Sequence, residues 1–213
     1  MAAVSDLVSD IRTYIPEIPS FIAQRYVLRT IRDFCEQTRA WRKNVSLATV
    51  ANTATVTVTS LLPTTTELVD VISIKNSAGG APLVPRTYMW LDENMSAWRT
   101  QTSTAAQYYV RESNSAIRLI PTPASAVTYN ARFAVKPLLT ATVIDDILVN
   151  KFREVFISGA VGMLLMVPRK PWTDLQTAAA HSGIYGAGLV SAKAEATDEY
   201  QTGVVRKVKY GGL

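Results

Sequence analysis

Apolar positions change their spacing twice along the chain. Near the N-terminus they advance in steps of three and four: Leu7, Val8 and Ile11 first, then Val27, Ile31, Phe34, Cys35, Thr38 and Trp41. Such steps place side chains along one face of a helix. The pattern predicts a short helix capped by Ser5 or Asp6 and stopped by the prolines at 16 and 19. A longer helix follows, opened by Pro19 and Ser20. Arg25, Arg29, Arg32, Asp33, Glu36 and Arg39 cover its other face, as a solvated surface, a subunit contact or a face toward DNA.

From residue 45 to 137 the period shortens to two. Residues 54–59 alternate strictly, and residues 68–74 form a second apolar run closed by Asn76-Ser77-Ala78-Gly79-Gly80. Alternation suits a strand with one face buried, and the Asn/Gly cluster is turn chemistry. Residues 107–111, 116–120 and 127–135 are further strands, the first two joined across Glu112-Ser113-Asn114-Ser115. Trp90, Leu91, Met95 and Trp98 predict a short helix over 88–98. Prolines recur near the strand ends, as a small antiparallel sheet with edges allows.

The third region returns to helical spacing. Ile144, Leu148, Phe152, Val155, Gly159 and Met163 form a stripe that begins beside Asp145 and Asp146 and stops at Pro168. Acidic residues favour a helix N-terminus through its dipole. Residues 172–180 and 189–200 also read as helices, separated by the glycine-broken His181-Ser182-Gly183-Ile184-Tyr185-Gly186-Ala187-Gly188. The fold class this predicts is α+β. A helical bundle built from the N- and C-terminal segments, 1–44 and 138–200, carries an inserted antiparallel β domain over 45–137. Residues 201–213 form an extended C-terminal tail, basic and apolar and too short to fold alone.

Composition narrows the function classes. Apolar residues make up 48% and charged residues 18%, which is globular rather than disordered. The net charge of +5 allows proximity to nucleic acid without requiring it. Cys35 is the single cysteine, so no internal disulfide is expected, and its helical setting predicts a small buried side chain. The N-terminus lacks the pattern of a signal peptide, and the most apolar stretch, 155–167, is shorter than the about 20 residues a membrane crossing needs. A cytosolic product with no membrane contact is expected.

Candidate chemistry is sparse. One histidine, His181, and one cysteine far from it make no zinc site. No Gly-x-Ser-x-Gly elbow supports a Ser-His-Asp triad, and a hydrolase built on His181 remains a weak alternative. Gly183, Gly186 and Gly188 lack the preceding strand and the Lys-Ser/Thr of a phosphate loop. The pairs Asp92-Glu93 and Asp145-Asp146 read as helix caps. Trp41-Arg42-Lys43 and Trp98-Arg99 read as amphipathic residues at a domain boundary, though such pairs also stack on bases. No catalytic residue, cofactor or metal is expected, and the chain reads as a structural protein rather than an enzyme.

The order of these pieces resembles the head-to-tail adaptor (connector) proteins of tailed bacteriophages. The opening Leu7-Val8-Ser9-Asp10-Ile11-Arg12 leads into the long helix ending Phe34-Cys35-Glu36-Gln37-Thr38-Arg39-Ala40-Trp41. Residues 145–156 look like the family's later helix, and a run of small residues and a tail follow. The resemblance implies a virion protein at the head–tail junction, made in the host cytoplasm. It would form a homo-oligomeric ring, typically of twelve subunits, between the portal protein and the tail or nozzle protein, with DNA passing through without sequence recognition. It also implies a portal-docking role for the tail residues Val204, Val205, Arg206, Lys207, Val208, Lys209 and Tyr210. The loop of Asn76, Ser77, Gly79 and Gly80 would face the tail. Another tail or head-completion protein, or a DNA-binding protein using Arg25, Arg29, Arg32 and Arg39, are the competing readings.

Overall fold

The computed structural model describes residues 2–197. The chain starts as a two-residue strand, β1 (Ala2–Ala3), and enters helix α1 (Val4–Tyr14), which buries Val4, Leu7, Val8 and Ile11. Neither Ser5 nor Asp6 caps this helix. Ala3 holds the cap position, and the Val4 amide donates to Thr142 O at 3.0 Å. A distant stretch of backbone therefore satisfies a donor that a side chain usually serves. Helix α1 stops short of Pro16, and α2 (Ser20–Thr38) follows Pro19 with Ala23, Val27, Leu28, Ile31, Phe34 and Cys35 buried. Arg39 ends α2 in the left-handed region, at φ 52°.

The strands come next. Strand β2 (Arg42–Ala48) begins three residues before the β region expected from the sequence, and β3 (Thr55–Thr57) is shorter than the alternating run. A 3-10 turn at Thr59–Leu61 takes over there, and the Val58 amide donates to Ser115 O. Strand β4 (Thr66–Asn76), strand β5 (Val84–Pro85) and helix α3 (Tyr88–Asn94) follow. Helix α3 ends four residues before Trp98, because that chain reverses to bring Trp98 Nε1 to Asp92 Oδ1 at 2.9 Å. Then come β6 (Thr102–Ser103), β7 (Tyr108–Arg111), β8 (Ala116–Ile120), β9 (Thr122–Pro123), β10 (Thr128–Pro137) and β11 (Val143–Ile144).

One sheet has the order β2-β10-β4 and is antiparallel throughout, with Ala131 of β10 opposite Val45 and Ile74. A second has the order β3-β8-β7-β5, antiparallel except for the short β5–β7 pair. Strand β1 pairs with β11, and β6 with β9. The described residues form a mixed α+β fold with five α-helices.

Helix α4 (Asp146–Leu165) opens on Asp145, whose carboxylate accepts the Ile147 amide at 3.1 Å, and bends at Phe152. Helix α5 (Leu175–Thr197) corrects the sequence expectation most clearly. The stretch 181–188 is not a break: one continuous helix runs through it. Asp174 starts it by accepting the amides of Gln176 and Thr177, so Trp172 lies outside. The glycines in these two helices are contact points. A Cβ on Gly159 would stand 2.5 Å from Thr30 Cγ2 and 2.6 Å from Tyr185 Cδ2, and one on Gly188 would stand 2.5 Å from Val155 Cγ2.

The larger of two buried clusters among the described residues joins α1, α2, α4 and α5 to the sheets. Phe34 of α2 meets Phe152 and Phe156 of α4 with ring centroids at 4.8 and 5.0 Å, and Leu47, Ile74, Ile117 and Tyr129 belong to the same cluster. Burying one such phenylalanine contributes roughly 1.5–3 kcal/mol, so this cluster dominates stability. Cys35 is buried within it, and burial pushes its thiol pKa up, away from reactivity.

Two glycine substitutions separate packing from propensity. Gly159→Ala must displace Thr30 or Tyr185 and should cost about 1–3 kcal/mol. At Gly183 a Cβ would meet nothing within 4 Å, so Gly183→Ala should gain up to about 1 kcal/mol in the free chain. Urea denaturation of both variants reads the opposite signs.

Candidate assembly surfaces

Of the four arginines, three lie on α2 and Arg39 at its C-cap, and they divide into two pairs. Arg32 donates to Pro137 O at 2.7 Å and pairs with Glu67 at 2.6 Å, holding the helix to β10 and β4. Arg39 pairs with Asp70 at 3.0 Å. Lys136 extends the seam, bridging Glu36 and Glu67. Arg25 and Arg29 stay exposed and form no ion pair among the described residues. The stripe read from the sequence as one charged face is thus half seam and half surface.

The loop after β4 is exposed and sharply turned. The Ala78 amide donates to Asn76 Oδ1 and the Gly79 amide to Asn76 O, while Gly79 and Gly80 take φ of 107° and 106°. Only glycine adopts that backbone freely. Ser77 ties the loop to the start of β10 through Thr128 O. The loop therefore caps one end of the three-stranded sheet and presents little but backbone. The candidate docking residues Val204, Val205, Arg206, Lys207, Val208, Lys209 and Tyr210 lie outside the described residues.

The two tryptophan–basic pairs are occupied by packing. Trp98 is buried with Leu91, Val110 and Ile120, stacked on Tyr88 at 5.5 Å and flanked by Arg99 and Arg118. Trp41 is buried where α2 gives way to β2. Neither offers an open face to a base. Asp92, read as a helix cap, instead accepts from Trp98 Nε1 and pairs with Arg99. Asp145 does cap α4, and it also binds Lys43 Nζ at 2.6 Å. That bond from Lys43, outweighing burial, holds its carboxyl below the usual range. His181 lies on α5, half-buried and edge-on to Tyr14 at 5.2 Å. Asp174, in the same cleft, is engaged at the start of α5. Among the described residues no group of three His, Cys, Asp or Glu side chains could hold a metal.

Two surfaces were not legible in advance. The first is the outer face of α5. Ala178, Tyr185, Ala192 and Ala196 point inward, leaving Leu175, Ala179, Gly183, Ile184, Ala187 and Val190 exposed. From Leu175 to Ala192 the helix carries no Asp, Glu, Lys or Arg. The seven-residue steps 178, 185, 192 were the signal, hidden by the glycines between them. The second is a cleft of about 400 Å³ where the link from α2 into β2, strand β10 and the first turns of α4 meet. Trp41, Ile147 and Phe152 line it, with Arg42, Arg132 and Lys151 among its walls. Arg42 donates to Ala196 O and Lys151 pairs with Glu195, so the last turns of α5 sit at its mouth.

The Asp145 contact sets an acid-stability expectation. A carboxylate whose folded pKa lies below its unfolded value, near 3.9, contributes stability that is fully present above that value. It is lost as pH falls through the folded pKa. Asp145→Asn should therefore lower stability at pH 7 and flatten the loss below about pH 4, measured by thermal melting across pH.

The sequence profile of the SU10 adaptor protein family matches residues 2–207. No curated protein matches the chain significantly. The family match covers nearly the whole chain, helices and strands alike, and agrees with the head-to-tail layout its sequence resembles. The chain belongs to the SU10 adaptor protein family.

Proposed function

We propose that copies of this chain close into a ring, dodecameric in the manner of head-to-tail adaptors, between the portal of the phage head and the tail. The family match supports a structural adaptor role in the virion. The observation that carries the ring is the outer face of α5: an uncharged, exposed surface on a 23-residue helix. Gly183 and Gly186 lie in it with nothing within 4 Å. Glycine inside a helix costs about 1 kcal/mol relative to alanine. At Gly159 and Gly188 internal packing explains that cost; at Gly183 and Gly186 the close approach of a neighbouring subunit does.

In this reading the basic–apolar residues 204–210 dock on the portal, and the glycine loop at 76–80 faces the tail or nozzle protein. DNA passes through the channel and contacts charge, not sequence. A sequence-specific DNA-binding role for α2 is disfavoured, because Arg32 and Arg39 are committed to Glu67 and Asp70.

The double variant Ala187→Lys/Val190→Lys alters only exposed positions, so the subunit should fold normally. It should abolish rings seen by electron microscopy of the purified protein; intact rings would exclude α5 as the contact. Deleting residues 204–213 should leave the fold and ring intact and abolish co-assembly with portal rings. Unimpaired co-assembly would remove the docking assignment.

A further inference from the structure

We infer that Arg86, stacked just before α3, anchors the tail-side partner by receiving a carboxylate flanked by apolar side chains. The inference rests on the reading that the glycine loop at 76–80 faces the tail, and it supplies what that loop lacks. The loop presents little but backbone. Its return arm pairs back on β4, through the Lys75–Pro82 bridge and the Leu83 amide on Ile74 O, and leads into β5 and α3. The surface that continues from the loop therefore belongs to residues 84–90.

That surface is fixed in place. The Val84 amide donates to Gln107 O at 2.9 Å and the Arg86 amide to Tyr109 O at 3.0 Å, while Thr87 caps α3 by accepting the Trp90 amide. Between these ties the Arg86 guanidinium lies 4.1 Å from the ring centre of Trp90 and 5.6 Å from that of Tyr108. A stacked guanidinium is already oriented, so little freedom is lost when it binds.

Its charge is unanswered. Arg99, Arg111 and Arg118, the other arginines beside α3 and in the second sheet, pair with Asp92, Asp70 and Glu112. Arg86 forms no ion pair among the described residues, and its Nε is buried without an acceptor. A planar fork of free donors matches a carboxylate. Met89, 72% exposed, adds apolar surface with Val84 and Tyr88. Arginine, tryptophan, tyrosine and methionine are the residues enriched at the centres of protein interfaces. Glu93, the exposed acid one turn beyond Met89, repels a carboxylate there, so the incoming acid approaches from the β5 side. The bare face of α5 carries no acid between Leu175 and Ala192, so the ring contact leaves Arg86 open.

Attachment of the purified tail or nozzle protein to DNA-filled, tail-less heads built with the full-length chain tests the anchor. Arg86→Gln and Met89→Asp should each weaken attachment about tenfold or more, with rings and portal co-assembly unchanged. Met89 is so exposed that its substitution keeps the test open even where loss of the Arg86 stack impairs folding. Arg86→Glu should be rescued by an acid-to-arginine change in the tail-side protein, selected among revertant phage. Undiminished attachment by folded variants would overturn the inference. Loss of rings or of portal co-assembly would also overturn it, assigning the patch to a second copy or to the portal. Lengthening the loop at Gly79 with extra glycines separates the two readings. Attachment lost there but kept in the Arg86 and Met89 variants sinks the anchor alone; the reverse result supports the anchor and removes the loop.

Discussion

Three helices meet at Gly159 closer than any side chain would permit. The Thr30 methyl and the Tyr185 ring both occupy the space where a Cβ would stand. Thr30 is oriented by its hydroxyl, which donates to Tyr26 O at 2.9 Å within α2. Tyr185 is oriented by its own hydroxyl, which donates to Asp33 Oδ2 at 2.8 Å. Burial and that carboxylate both push the tyrosine pKa up, so the donor is retained across the ordinary pH range. The contact fixes more than distance. It sets the rotation of α5 about its axis, and so decides which residues turn inward and which become the bare outer face.

Helix α2 carries the fold from this junction to the sheet. Its apolar stripe faces α4 through Phe34, while Arg32, Glu36 and Arg39 reach β4 and β10 on another side. Ion pairs exposed to this degree contribute at most about 1 kcal/mol each. Their role is angular: several pairs along one seam select a single crossing of helix over strands, which the non-directional hydrophobic core alone would not. The arginines that looked like one functional stripe serve two ends because the helix is wedged between two layers.

Long, strongly periodic segments were legible. The stripe of α2, the apolar run of β4, the 116–120 strand and the acidic start of α4 all appear where the spacing put them. What failed did so for identifiable reasons. Strand β2 reads Arg-Lys-Asn-Val-Ser-Leu-Ala, too polar at its start to signal a strand, and forms because β10 supplies seven paired residues. The glycines of α5 suggested a break, since local propensity disfavours them, yet tertiary contact at Gly188 makes glycine the residue that fits. The cap of α1 came from Thr142, far along the chain, which no local motif could announce. The cleft beside α5 was invisible for the same reason: its walls come from residues 41, 132 and 152.

The Phe34–Phe152 contact also has a meaning in time. The two rings are 118 residues apart in the chain, and β1 waits longer still for β11. At synthesis rates of about 5–20 residues per second, α2 leaves the ribosome roughly 6–24 s before its partner exists. For that interval the part of its apolar stripe that meets α4 has no partner to bury against. The helices made first complete their packing last, so the core closes, and with it the orientation of α5 is set, only once α4 and α5 have been made.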